Sequence, residues 1–143
     1  MRAILSLVVL AAGVSLSQTG SNGAARVVMN PSEASWTHDK GDPPGSDGVV
    51  LRMDSQSGGL ELFARYPAGY EFPVHWHDSN ERMILMEGRL SIEEAGATRY
   101  LEPGGYAFLP ARQVQKLKCV STARCVFYVA WDGKPASHKP PVK

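Results

Sequence analysis

Apolar residues in this chain come in short runs, each closed by a cluster rich in Gly, Pro, Asp, Asn or Ser. The runs are Val49 to Met53, Leu60 to Tyr66, Phe72 to His77, Glu81 to Glu87, Arg89 to Glu93, Thr98 to Leu101, Tyr106 to Leu109, Gln113 to Val120 and Arg124 to Trp131. Between them stand turn signals such as Asp54-Ser55-Gln56-Ser57-Gly58-Gly59, Pro67-Ala68-Gly69 and Glu102-Pro103-Gly104-Gly105. No long stretch keeps a helical period. Short strands repeating every 8–12 residues or so predict an all-β sandwich or closed barrel. Asp78, Ser79 and Asn80 predict a tight turn that sets Glu81 to Glu87 beside the Phe72 to His77 strand. Ser121-Thr122-Ala123 predicts a last hairpin between Gln113 to Val120 and Arg124 to Trp131.

Strand alternation assigns faces. Glu81, Met83 and Leu85 share one, so Met83 and Leu85 are expected either to wall an apolar pocket or to pack in the core. Gln113, Gln115, Leu117 and Cys119 share another, with Gln113 expected at the pocket, while Val114, Lys116 and Lys118 face outward. Trp36, in the short run Ser35 to His38, is expected to cap one end of the core.

Composition narrows the classes. The 143 residues suit a single domain, and a formal net charge of +1 without long basic or acidic runs excludes nucleic acid and acidic membrane surfaces as partners. Met1-Arg2, an apolar run from Ala3 to Leu16 and small residues after it predict a secretory signal peptide over 1–17, too short to insert stably in a membrane. An N-terminal extension with a loop is expected over 18–48, the barrel over 49–131, and a weakly ordered Pro- and Lys-rich tail over 132–143. The mature protein is expected to be periplasmic or secreted. His38 and His138 are expected to be solvated.

The chemistry gathers in one stretch. His75 and His77 lie two apart on a strand, so both imidazoles project to one face, and Glu81 follows after the turn. Two imidazoles and a carboxylate converging in this way make a divalent metal site with open positions. Cys119 and Cys125 flank the last turn; if Val120 pairs with Arg124 they stand opposite one another, within reach of a disulfide. Oxidised and free thiols both remain open, and the spacing fits no usual cysteine metal motif.

The spacing Gly69, His75, His77, Glu81, Gly88 resembles the first motif of the cupin superfamily at every defining position. The second motif is half matched: Gly104 and Pro110 are in place, Arg112 stands where a glycine is usual, and Gln115 where a histidine is usual. The resemblance implies a double-stranded β-helix, or jelly-roll barrel, with one divalent ion (Fe, Mn, Ni or Zn) inside it. It implies His75, His77 and Glu81 as ligands, with Gln115 either a weaker oxygen ligand or a hydrogen-bonding neighbour. It further implies action on a small organic molecule by dioxygenase-type or Lewis-acid isomerase or lyase chemistry, or a non-catalytic role in binding or sensing. Homodimers are common among small cupins.

Overall fold

The computed structural model describes residues 25–40, 42–94 and 96–141. The expected signal peptide lies outside them. Ten strands follow in order: β1 (Asp47–Met53), β2 (Leu60–Tyr66), β3 (Trp76–His77), β4 (Glu81–Glu87), β5 (Leu90–Glu94), β6 (Ala97–Leu101), β7 (Tyr106–Leu109), β8 (Leu117–Cys119), β9 (Cys125–Trp131) and β10 (Ser137–His138). They form a five-stranded sheet in the order β1-β2-β9-β4-β7, a three-stranded sheet β6-β5-β8, and the pair β10-β3. Single bridges, Glu71 to Lys118 and His75 to Gln115, tie the histidine segment to the β8 side. All pairings are antiparallel, and the two layers face each other as a double-stranded β-helix. Among the described residues no helix is long and apolar enough to cross a membrane.

Alternation builds the core. Glu81, Met83 and Leu85 of β4 turn inward, in register with Trp131, Val129 and Phe127 of β9. From the facing layer Leu90, Ile92, Leu117 and Cys119 meet them, and Leu85, Leu90 and Cys119 are fully buried. Trp36 packs outside this core, stacked at 6.5 Å on Phe63 on the outer face of β2 and covered by the Arg65 guanidinium.

Four expectations are corrected. The histidine strand is regular only over Trp76–His77, because Pro73 lacks the N–H that a continuous ladder needs. β3 and β4 do not pair: β4 is flanked by β7 and β9, so Glu81 reaches the histidines across the barrel rather than along one sheet. The expected last hairpin is absent, since β9 already has β2 and β4 as neighbours and β8 pairs with β5. Cys119 and Cys125 are nonetheless joined, with Cα atoms 5.9 Å apart, so the disulfide links the two layers. The tail is ordered as far as β10, where His138 stacks on Trp76 at 4.2 Å and bonds Asp78 at 2.7 Å. His38 is exposed, its Nδ1 2.7 Å from the Ser46 carbonyl.

Two backbone positions explain the motif spacing. Gly88 closes the first motif at φ +85°, and a Cβ there would sit 2.7 Å from the Arg124 carbonyl and 2.9 Å from Cys125 Sγ. Only glycine satisfies both demands. At the usual glycine of the second motif, Arg112 holds φ 64°. The left-handed backbone is kept although the residue that makes it easy is not.

Candidate metal centre

Each side chain of the centre is set by a different piece of backbone. His75 and Gln115 are bridged to each other (His75 N–H to the Gln115 carbonyl at 3.3 Å, Gln115 N–H to the His75 carbonyl at 2.6 Å). His77 ends β3, and its carbonyl accepts from the Arg112 N–H at 2.8 Å. Glu81 opens β4, after a turn that Asn80 fixes by accepting from Ala111 N–H and donating to Asp132. His77, Glu81 and Gln115 are 6, 4 and 3% exposed.

The hydrogen bonds decide where the imidazole protons sit. His75 Nδ1 lies 2.6 Å from the Pro73 carbonyl, and His77 Nδ1 lies 3.1 Å from the Ala136 carbonyl. A carbonyl can only accept, so both rings carry their proton on Nδ1 and present a bare Nε2. Those two Nε2 atoms are 3.1 Å apart, and Glu81 Oε2 is 3.5 Å from that of His77. When both rings are neutral and Glu81 is ionised, three electron-pair donors face one another with no proton between them. Glu81 Oε2 and both polar atoms of Gln115 are buried without a hydrogen-bond partner.

Burial governs the electrostatics. Desolvation pushes the Glu81 carboxyl up to about 7, and the nearby Gln115 amide, which makes no hydrogen bond of normal geometry to it, pulls it partly back. His77 is pushed below the ordinary histidine value, first by burial and then by its neighbour His75. Tyr66, on the cavity wall, is pushed to about 12, chiefly by burial. Counting His, Cys, Asp and Glu alone, no described group of three or more surrounds a common point in metal-holding geometry. The convergence consists of two contacts sharing His77 Nε2; Gln115 is joined to it by its backbone bridge with His75 and lies near the Glu81 carboxyl. Unpartnered nitrogen and oxygen donors of this kind, two imidazoles with a carboxylate and an amide, suit a divalent ion.

His75, His77 and Glu81 open into a cavity of about 160 Å³, which Gln115 does not line. Met83 lines it, Leu85 is wholly buried in the core beyond, and Gln113 is exposed and lines a separate groove. Tyr66, Phe72, Phe127 and Trp131 supply its aromatic wall. Sequence reasoning missed these four, although alternation along Leu62, Ala64 and Tyr66 would have pointed to Tyr66. Trp131 sits opposite Glu81 in register, its ring 5.6 Å from His77 and its indole N–H buried without a partner.

Comparison with solved structures finds this architecture repeatedly. The cupin domain of Schizosaccharomyces pombe Cnp3 superposes with a TM-score of 0.64 at 14% identity, over 75% of this chain and 74% of that one. The polyketide cyclase RemF from Streptomyces resistomycificus gives 0.64 at 16% identity, over 83% and 88%. The DMSP lyase DddQ from Ruegeria pomeroyi DSS-3 gives 0.58 at 20% identity, over 76% and 61%. At such identities the likeness is one of fold. No curated protein matches the sequence. The sequence profile of the ChrR cupin-like domain matches residues 24–132, most of the chain and all of the centre. The protein therefore belongs to the ChrR cupin-like domain family of the cupin superfamily.

Proposed function

We propose that this protein is an exported cupin that holds one divalent ion at His75, His77, Glu81 and Gln115 and acts on a small organic molecule. The observation that carries the reading is the pair of bare Nε2 atoms 3.1 Å apart, each fixed by a carbonyl behind it, beside an unpartnered buried carboxylate. Leaving such donors buried and uncompensated costs several kcal/mol. A divalent ion there supplies Lewis-acid polarisation of an oxygen donor, as isomerase or lyase chemistry needs, or dioxygen chemistry when it is redox-active.

The chain's own residues define the rest. The Pro73 and Ala136 carbonyls hold the two rings in the ligating tautomer. Aromatic and aliphatic walls exclude water, which strengthens every polar contact inside. A volume of about 160 Å³ is about five water volumes at ~30 Å³ each, so whatever enters whole has only a handful of heavy atoms. Tyr66 faces the cavity as a phenol that stays protonated at neutral pH. Solved structures of this fold include, by name, a lyase and a cyclase, which favours non-oxidative chemistry here.

One observation favours a second reading, a binding or sensing module. Apart from His75, His77 and Glu81, Tyr66 is the one titratable side chain on the described cavity wall, so a dedicated general base is missing. Elemental analysis of wild type and His77→Ala, with aerobic and anaerobic turnover on small enols, phenols and diketones, tests the proposal. Stoichiometric metal lost in His77→Ala, with turnover indifferent to dioxygen, is expected. Metal retained by His77→Ala refutes the centre, and stoichiometric metal without turnover selects the binding module. Amino-terminal sequencing of the mature protein tests export; an intact Met1 refutes it.

A further inference from the structure

Each sheet of the barrel buries one face, and the two outer faces differ. That of β6-β5-β8 carries the ion pairs Lys116–Glu93 at 2.6 Å and Lys118–Glu71 at 3.6 Å, as a face left to water should. On the five-stranded sheet the register instead lines up Val49, Phe63, Tyr128, Ile84 and Tyr106 in one row across all five strands. These residues alternate with inward ones such as Leu62, Phe127, Met83 and Ala107, so the row points outward. Ile84 and Tyr106 are 39 and 56% exposed, and Phe108 beside them, under the Arg82 guanidinium, is 46% exposed. An apolar row running from edge to edge of a sheet is surface of the kind that another protein covers.

Shape and charge name the occupant. The chain covers one half of the row itself, where Trp36 stacks on Phe63 and Val27 and Met29 line a depression with Phe63 and Tyr128. The half on β4 and β7 stays bare. β9 is the middle strand, so a second copy turned over about β9 sets β2 above β4 and β1 above β7. The raised half of each copy then enters the bare half of the other, with Trp36 and Phe63 on Ile84 and Val49 on Tyr106. The charges beside the row agree. Glu61 and Arg82 flank Ala130 in register, and Arg65 and Glu87 flank Val126, so the same turn lays each on a residue of opposite sign. The face is complementary to itself.

We infer that the outer face of β1-β2-β9-β4-β7 binds a second copy of this chain, in a symmetric dimer whose two-fold axis runs along β9. An apolar row between charged ones is the anatomy of a specific interface. Sedimentation equilibrium at micromolar concentration is expected to show a wild-type dimer. Tyr106→Glu places two unpaired charges in the interface and is expected to raise the dimer Kd by about 100-fold or more, with far-ultraviolet circular dichroism unchanged because the position is exposed. Phe108→Glu, also at an exposed position, repeats the test should Tyr106→Glu fold poorly. Tyr128 lies on the axis, and faces packed sheet on sheet stand ~10 Å apart, so a short bismaleimide is expected to link Tyr128→Cys to its copy. Thr98→Cys, on the exposed face of β6, is expected to stay unlinked. A monomeric wild type overturns the inference, whatever else the face binds. So do dimers that both glutamate variants leave intact, or linkage of Thr98→Cys as fast as that of Tyr128→Cys.

Discussion

Glu81 gives the sharpest quantitative test. Its carboxyl is 4% exposed and is pushed by burial from the usual 4.5 to about 7. In metal-free protein below pH 4.5 the group is protonated in both folded and unfolded chains and contributes no pH dependence. Between pH 4.5 and 7 the unfolded chain releases its proton and the folded one keeps it, so stability falls as pH rises, by about 1.4 kcal/mol per unit. Across this window the loss totals about 3 kcal/mol, and above pH 7 the slope disappears. Glu81→Gln removes the titration while keeping the shape. The assay is urea unfolding followed by tryptophan fluorescence in EDTA from about pH 4.5 to 8, read as the difference between wild type and variant. His77 acts in the opposite sense, because a histidine held neutral by burial loses stability as pH falls, and the difference curve removes most of that background. Wild type is expected to lose about 3 kcal/mol relative to the variant over the window and to recover it on adding zinc, which stabilises the folded state by mass action. A flat difference curve, or a variant less stable than wild type at about pH 8 in EDTA, refutes the account of Glu81.

Three further outcomes follow from the geometry. Arg112→Gly relieves a left-handed backbone that costs about 1–2 kcal/mol and returns about 0.4–1 kcal/mol to the unfolded chain, so a net gain between about 0 and 1.6 kcal/mol is expected in thermal melting. Ending the chain after Pro135 removes the Ala136 carbonyl behind His77 together with β10; zinc affinity is expected to fall about 10–100-fold in competition titrations, with far-ultraviolet circular dichroism unchanged. Replacing Cys119 and Cys125 together by Ser opens a loop of sequence separation 6, worth about 2 kcal/mol of chain entropy by urea unfolding.

What the sequence discloses follows how local each signal is. His75, His77 and Glu81 are close in the chain and their types are unusual together, so the candidate centre is readable. Most strand positions are readable too, since alternation and turn residues are short-range signals. Pairing partners are not. That β4 lies between β7 and β9 rather than beside β3 depends on which inward residues fit which, Leu85 against Phe127 and Glu81 against Trp131, and no short window holds both members. The tail misleads for the same reason. A Pro- and Lys-rich composition around Lys139, Pro140 and Pro141 predicts weak order, whereas His138 is fixed by Trp76 and Asp78, far upstream.

The corrected topology changes what the centre does for the fold. The histidines approach from the β8 side and Glu81 from the five-stranded sheet, so any ion bound there ties the two layers together. At the other end Cys119 and Cys125 tie the same two layers covalently. The tail adds a third tie, for β10 pairs with β3 and puts the Ala136 carbonyl behind His77. Between the two ends the β6–β7 seam has no backbone pairing to hold it. Its width then depends on the ties at either end.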